Sequence, residues 1–159
     1  MATSDKQDIK PRRLYFKSYI QLIHNSVGSN LFRNLYVETP ERGEFDALDD
    51  GYNSCAFYVS SVLVIFKKLS GIHGTVVSTI RDLTESGWHE VSKPQAGDVL
   101  VWEAQQFDDG LKEHIGFSLG NGRAVSTSWA NKAVVVHDDV FDGKRKITKI
   151  LRQSDWDNE

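Results

Sequence analysis

The apolar positions predict helices in the first half of the chain. From residue 14 to residue 24 they recur at helical spacing, which predicts an amphipathic helix. Residues 54–69 predict a second helix that is apolar on nearly every side and therefore buried, with Asn53 or Ser54 available as its N-cap. A third helix is predicted over residues 76–85, with Gly87 as its stop.

The second half of the chain shows short apolar runs separated by turn residues. Five strands are predicted, at residues 98–103, 114–119, 123–127, 133–137 and 146–152. Gly120-Asn121-Gly122 lies between the second and the third of them and is a strong hairpin signal. This order of elements predicts an α+β fold in which N-terminal helices pack on a C-terminal antiparallel sheet.

Length and composition fit one ordinary globular domain. The chain has 159 residues, of which 40% are hydrophobic and 26% charged, so it can bury a sizeable core. Residues 1–12 are predicted to form a flexible polar arm and residues 13–159 a single domain, in which residues 39–53 form a polar connection. A net charge of −3, spread along the chain, argues against a nucleic-acid partner. The longest apolar run, residues 62–66, is far too short to span a membrane.

Cys55 and His114 are the candidate catalytic pair. Cys55 falls in the first turn of the predicted buried helix, where unpaired N–H groups lower a thiol pKa and can also stabilise an oxyanion. His114 is predicted to open a core strand after a polar loop, from which its side chain can reach the helix start. A lone cysteine among apolar residues is more often an inert core residue. The two residues in this context predict instead a nucleophile and its base, with a thiol pKa below the free value of about 8.5.

Three motifs in register resemble one family. They are Asn53-Ser54-Cys55-Ala56-Phe57-Tyr58-Val59, Pro94-Gln95-Ala96-Gly97-Asp98 and His114-Ile115-Gly116-Phe117-Ser118-Leu119-Gly120-Asn121-Gly122. In the same order, NlpC-type papain-like cell-wall peptidases have an Asp-Cys-Ser-Gly-Phe-Val helix start, a Pro-x-x-Gly-Asp-Leu strand and a His-Val-Gly-Ile-Tyr-Leu-Gly-Asn-Gly hairpin. The related CHAP amidase modules share this arrangement. The resemblance covers residues 45–137 and is that of a divergent member, since Ser54 replaces the family's Asp.

The resemblance implies a papain-like fold and a cysteine hydrolase that cleaves amide bonds. The implied substrates are peptidoglycan stem peptides or other peptide amides, cleaved through a thioester without a cofactor. Motif register puts the third catalytic residue at Ser126. Thr127 takes that place if the hairpin register differs by one, and His137 on a later strand is the outside candidate. The residues leave these three choices open.

Other sequence features bear on substrate, location and rival functions. Trp129, in a loop after the hairpin, is a candidate substrate-binding residue, and Tyr36 upstream of the cysteine is a second. The five histidines show no paired metal-ligand spacing, so no metal is expected. Since residues 1–13 contain no secretory signal, we expect a bacterial or phage protein that is cytoplasmic or released without a signal peptide. The rival functions are an inactive peptidoglycan- or protein-binding module of the same fold and a thioester-forming acyltransferase.

Overall fold

The computed structural model describes residues 10–157, which form three α-helices and eight β-strands. The helices are α1 (Tyr15–Ser26), α2 (Cys55–Ile65) and α3 (Val76–Glu85). The strands are β1 (Tyr36–Thr39), β2 (Gly43–Asp46), β3 (His89–Glu90), β4 (Val99–Phe107), β5 (Gly110–Gly120), β6 (Arg123–Ser128), β7 (Ala133–Asp138) and β8 (Ile147–Arg152). The predicted α+β class is confirmed. Of the predicted polar arm, residues 1–9 lie outside the described part.

Six of the strands form one antiparallel sheet in the order β3-β8-β4-β5-β6-β7. Its central strands β4 and β5 are buried over Val99–Trp102 and 115–118, where alternate side chains face α1 and α2. Tyr19 of α1 and Tyr58 of α2 both pack edge-on against Phe117 of β5. Within residues 10–157, no helix combines the length and the apolar character needed to cross a membrane.

Helix α2 begins where predicted but ends at Ile65, four residues earlier than predicted. Lys67 adopts a left-handed backbone conformation with φ of 55°. The N–H groups of Lys67 and Lys68 then bond back to the carbonyls of Val64 and Leu63, each at 3.0 Å. This is the Schellman arrangement, which is usually formed with glycine, so the sequence shows no sign that the helix ends here.

Two predicted connections contain strands. The segment predicted as a polar connection, residues 39–53, contains the turn and the second strand of the β1–β2 hairpin, in which Tyr36 pairs with Asp46 and Thr39 with Gly43. The predicted loop before His114 is also wrong, because β4 and β5 continue past the sheet core as a two-stranded ribbon that turns at residues 108–109. His114 therefore lies inside β5, opposite Trp102, rather than at a strand start.

The Pro-x-x-Gly-Asp motif fastens the sheet to α1 and β8. The Gly97 carbonyl accepts a hydrogen bond of 2.9 Å from the hydroxyl of Tyr19. A side chain at Gly97 would meet Ile20 at 3.0 Å, and the backbone there has φ of +91°, so both space and conformation require glycine. Asp98 forms a two-point ion pair with Arg152, at 2.8 Å and 2.7 Å. This motif therefore has a structural role in the sheet.

Candidate active-site cleft

A cavity of about 890 Å³ lies where the start of α2 meets the sheet beside β5, β6 and β7. Its wall combines apolar, aromatic and titratable side chains, which is typical of a small-molecule or peptide site. The titratable and hydroxyl groups of the lining include Cys55, Lys112, Glu113, His114, Ser126, Thr127, His137 and Arg145. Cys55, His114 and all three candidates for the third position thus lie around one cavity.

Cys55 is the first residue of α2, as the sequence predicts. Ser54 occupies the N-cap position, but its hydroxyl donates to the carbonyl of Gly51 at 3.0 Å and does not cap the helix. The predicted cap is therefore wrong. Since no side chain caps the helix at Ser54, the N–H groups of the first turn stay available to stabilise a developing negative charge next to Cys55.

The thiol of Cys55 is neutral in the resting protein. Burial raises the pKa of Cys55 above its ordinary value, and it outweighs the backbone N–H groups of Ile115 and Ala56 and the positive charge of Arg145, which all lower that pKa. The expectation of a lowered thiol pKa, made from the helix start and His114 acting together, is therefore wrong, because the burial of the thiol outweighs the groups that lower its pKa.

Ser126 bridges His114 and His137. Its Oγ lies 2.8 Å from Nε2 of His114 and 2.7 Å from Nε2 of His137. Nδ1 of His137 lies 2.7 Å from the carbonyl oxygen of Asp138, which can only accept, so this nitrogen carries a hydrogen. In neutral His137, Nε2 must then accept from the Ser126 hydroxyl. The serine has no second hydrogen, so it accepts from Nε2–H of His114, whose Nδ1 keeps a lone pair.

Aromatic rings enclose the two imidazoles. The ring of His137 stacks on Phe141 at a centroid distance of 4.0 Å, and Trp102 lies 5.4 Å from the ring of His114. Burial lowers the pKa of His114 to about 3, with further lowering by the positive charge of Arg145 and, when that ring is protonated, of His137. Burial also lowers the pKa of His137. Both rings are therefore neutral at pH 7, as the hydrogen-bond chain through Ser126 requires.

Cys55 and His114 share the cavity without a direct bond. The N–H of Ile115, the residue after His114, is close enough to the Cys55 thiol to lower its pKa. Arg145 acts electrostatically on both residues. In the part of the chain that the structure describes, no hydrogen bond joins Sγ of Cys55 to His114. Cys55 and His114 therefore line the same cavity without a hydrogen bond between their side chains.

The other predicted site residues are divided between the cleft and the surface. Thr127 is buried and lines the cavity, but it is Ser126 that bonds to His114. Trp129 lines the cavity with 57% of its surface exposed and contacts Tyr52 edge-on at 5.9 Å. Tyr36 lies on β1, is 73% exposed and does not line the cavity.

Arg145 is a cleft residue that the sequence reasoning missed. It lies between β7 and β8 in a run of polar residues, 142–146, that reads as an ordinary surface turn. Its Nε donates to the carbonyl of Glu103 at 2.9 Å and its Nη2 to that of Lys112 at 2.6 Å. No local pattern could have found it, because its partners are more than thirty residues away.

No protein-family model matches this chain, and no curated protein matches it either. The family resemblance therefore depends on the three sequence motifs. The structure adds an α+β fold in which one cavity is lined by a cysteine at a helix start and by two histidines that Ser126 bridges.

Proposed function

We propose that the protein is a papain-like cysteine hydrolase that cleaves amide bonds in peptidoglycan stem peptides. One observation carries the catalytic part of this proposal: Cys55 at the start of α2 and His114, held by Ser126, line the same cavity. A nucleophile, a base and a group that orients the base are the parts that covalent acyl transfer needs. The choice of peptidoglycan follows from the resemblance of the three motifs to cell-wall peptidases.

The first half of the reaction uses the tautomer that Ser126 imposes. Nδ1 of His114, which keeps its lone pair, takes the proton of Cys55 as the sulfur attacks the carbonyl carbon of the amide. The C–S bond forms, and the N–H groups at the start of α2 stabilise the negative oxygen. His114 then gives the proton to the leaving nitrogen, the C–N bond breaks and a thioester remains on Cys55.

The second half regenerates the enzyme. Neutral His114 takes a proton from water as the water oxygen attacks the thioester carbonyl. The C–S bond breaks, the carboxylic acid product leaves and the proton returns to the sulfur of Cys55. Because Cys55 and His114 are both neutral at rest, proton transfer accompanies attack and no preformed ion pair is needed.

Muropeptides incubated with the protein and analysed by mass spectrometry test this function. We expect the native protein to release fragments that differ by hydrolysis of one amide bond. Cys55→Ala and His114→Ala should abolish cleavage and stay folded, because neither change opens a large cavity. His24→Ala, at an exposed histidine of α1, is the matched control and should cleave normally. Intact muropeptides after incubation with folded native protein would refute the proposal.

The neutral thiol favours one other candidate, a non-catalytic binding module of the same fold. The raised pKa of Cys55 and the missing bond to His114 are what an inert thiol would show. Such a module would retain intact muropeptides with an affinity that Cys55→Ala leaves unchanged and Trp129→Ala weakens. Cleavage that depends on Cys55 excludes this candidate.

A further inference from the structure

Arg145 is buried without an acidic partner. It is 8% exposed and is the one buried lysine or arginine within residues 10–157. Its two hydrogen-bond partners are backbone carbonyls, which satisfy donors but carry no net charge. Other partly buried arginines form ion pairs with carboxylates, Arg152 with Asp98 and Arg33 with Asp50. A buried charge is normally paired, so a missing partner points to an anion supplied from outside the protein.

The guanidinium of Arg145 is held in place, and the residue lines the cleft. Nε and Nη2 are fixed by the carbonyls of Glu103 and Lys112, while Nη1 bonds to no protein group in the described part of the chain. Arg145 lines the cavity together with Cys55, and its positive charge acts to lower the pKa of the Cys55 thiol. The carboxylate of Glu103 also acts on Arg145 electrostatically, but its Oε1 accepts from the N–H of Lys146 at 2.9 Å.

The charges around the cavity favour an anionic ligand. Three basic side chains line it, Lys112, Lys144 and Arg145, against one acidic side chain, Glu113. Lys112 is already paired with Asp109 at 2.6 Å. Arg145, which is held by two backbone carbonyls, is the cation whose charge acts on the Cys55 thiol. A planar guanidinium with free N–H groups matches the two oxygens of a carboxylate better than it matches a single atom.

We propose that Arg145 binds a carboxylate of the substrate, so that the cleft selects amides that carry a carboxylate close to the bond that is cleaved. This inference rests on the proposed function, in which Cys55 is the nucleophile. Arg145 is here a specificity-determining residue, because it binds a part of the substrate that does not react.

Two alkylating reagents that differ only in charge test the site. Iodoacetate carries a carboxylate and iodoacetamide an amide. Each forms a bond between its CH2 carbon and the sulfur of the Cys55 thiolate with loss of iodide, which leaves a carboxymethyl or a carbamoylmethyl group on the sulfur. Their rates on the full chain are measured at about pH 9 and low salt, where the thiolate is present. The ratio of the two rates cancels any change in the pKa of Cys55 and reports carboxylate recognition alone.

We expect the iodoacetate-to-iodoacetamide ratio to be about tenfold higher for the native protein than for free cysteine. Arg145→Met should bring the ratio down to the free-thiol value. Arg145→Lys keeps the positive charge but loses the planar guanidinium that can donate two parallel hydrogen bonds, so it should give an intermediate ratio. Lys146→Met, at an exposed neighbouring cation that does not line the cavity, is the matched control and should retain the native ratio.

Competition on the native protein keeps the test valid if Arg145→Met does not fold. N-acetylglycine should protect Cys55 against iodoacetamide, whereas N-acetylglycinamide, which lacks the charge, should not. Equal protection by both compounds would overturn the carboxylate site. The carboxylate site would also be overturned if folded Arg145→Met reacted more slowly with both reagents but kept the native ratio. Arg145 would then act only by stabilising the thiolate of Cys55.

The failures of the two proposals are distinguishable. A native thiol that reacts with neither reagent would remove Cys55 as nucleophile and overturn both. A ratio that depends on Arg145 in a protein that leaves muropeptides intact would retain the carboxylate site and reject only the hydrolase.

Discussion

The hydroxyl oxygen of Ser126 lies 2.7 Å from Nε2 of His137. Because Nδ1 of His137 donates to the carbonyl of Asp138, this contact fixes which way the serine hydrogen points. The serine must then accept from His114, and the base keeps its lone pair on Nδ1. A neutral serine can therefore orient the histidine, because a second histidine orients the serine.

The first prediction concerns Ser126→Ala. Removing the hydroxyl leaves Nε2–H of His114 without an acceptor, so the imidazole can take the other tautomer. In that tautomer Nδ1 carries the hydrogen and has no lone pair to receive the thiol proton. We expect kcat for muropeptide cleavage to fall at least about tenfold, with KM little changed. Ser61→Ala is the control, since it removes a buried hydroxyl of α2 that has no partner among the described residues.

Nitrogen-15 NMR of the histidine rings checks the reason for that loss. In the native protein, His114 should show the Nε2–H tautomer and His137 the Nδ1–H tautomer. In Ser126→Ala, the His114 signals should move towards a mixture of tautomers while His137 keeps its own. A fall in kcat with an unchanged His114 tautomer would mean that Ser126 acts in some other way.

The second prediction concerns the pH dependence of Cys55 alkylation. Because burial raises the pKa of Cys55, the thiol is protonated near neutral pH, and the iodoacetamide rate should rise with a midpoint above about pH 8.5. The charge of Arg145 lowers this pKa, so Arg145→Met should move the midpoint to still higher pH. The other titratable groups that line the cavity are Tyr52, Lys112, Glu113, His114, His137 and Lys144. A midpoint near pH 6 would instead mean a preformed thiolate–imidazolium pair.

The third prediction concerns the glycine of the His-Ile-Gly motif. A Cβ on Gly116 would lie 2.5 Å from the carbonyl oxygen of Val125 and 2.8 Å from Cβ of Ser126. Gly116→Ala must therefore push β6 away from β5 and displace Ser126 from His114. We expect a loss of about 2–4 kcal/mol in the free energy of unfolding, measured by urea denaturation.

The control for this substitution is Gly71→Ala, where an added Cβ meets nothing within 4 Å. It should leave stability nearly unchanged. If Gly116→Ala folds with native stability, the close approach of β5 and β6 at Ser126 is not a rigid feature of the site.

Local signals in the sequence predicted the start of α2 and the hairpin that carries His114. They left Ser126, Thr127 and His137 open as the partner of His114, and the structure shows Ser126 in contact with it. The β4–β5 ribbon was missed because its exposed residues alternate without a buried face and resemble a loop.

The remaining features of the site depend on contacts between distant parts of the chain. The burial that raises the pKa of Cys55 and lowers that of His114 comes from packing, which no motif encodes. The position of Arg145 also depends on distant contacts, because its guanidinium is held by two backbone carbonyls of β4 and β5.

The fourth prediction concerns acid stability and Asp82 of α3. Its carboxylate accepts hydrogen bonds from Nε2 of His73 at 2.6 Å and from the hydroxyls of Ser70 and Ser86 at 2.8 Å and 2.9 Å. Burial alone would raise the pKa of Asp82, but these hydrogen bonds outweigh it and hold the pKa well below its ordinary value. The cluster ties α3 to the segment that follows α2.

The pKa of Asp82 is lower in the folded protein than in the unfolded chain. As the pH falls, the unfolded chain therefore binds the proton before the folded protein does. Its stabilisation is therefore complete above the unfolded pKa of about 4 and is lost as the pH falls through the folded value. Asp82→Asn should destabilise the protein by roughly 2 kcal/mol at pH 7, and the difference from the native protein should shrink towards pH 2. Urea denaturation at a series of pH values measures this. Asp108→Asn, at an exposed carboxylate on the ribbon turn, should follow the native curve throughout. A deficit in Asp82→Asn that stays constant with pH would show that the cluster is held by packing and not by the charge of Asp82.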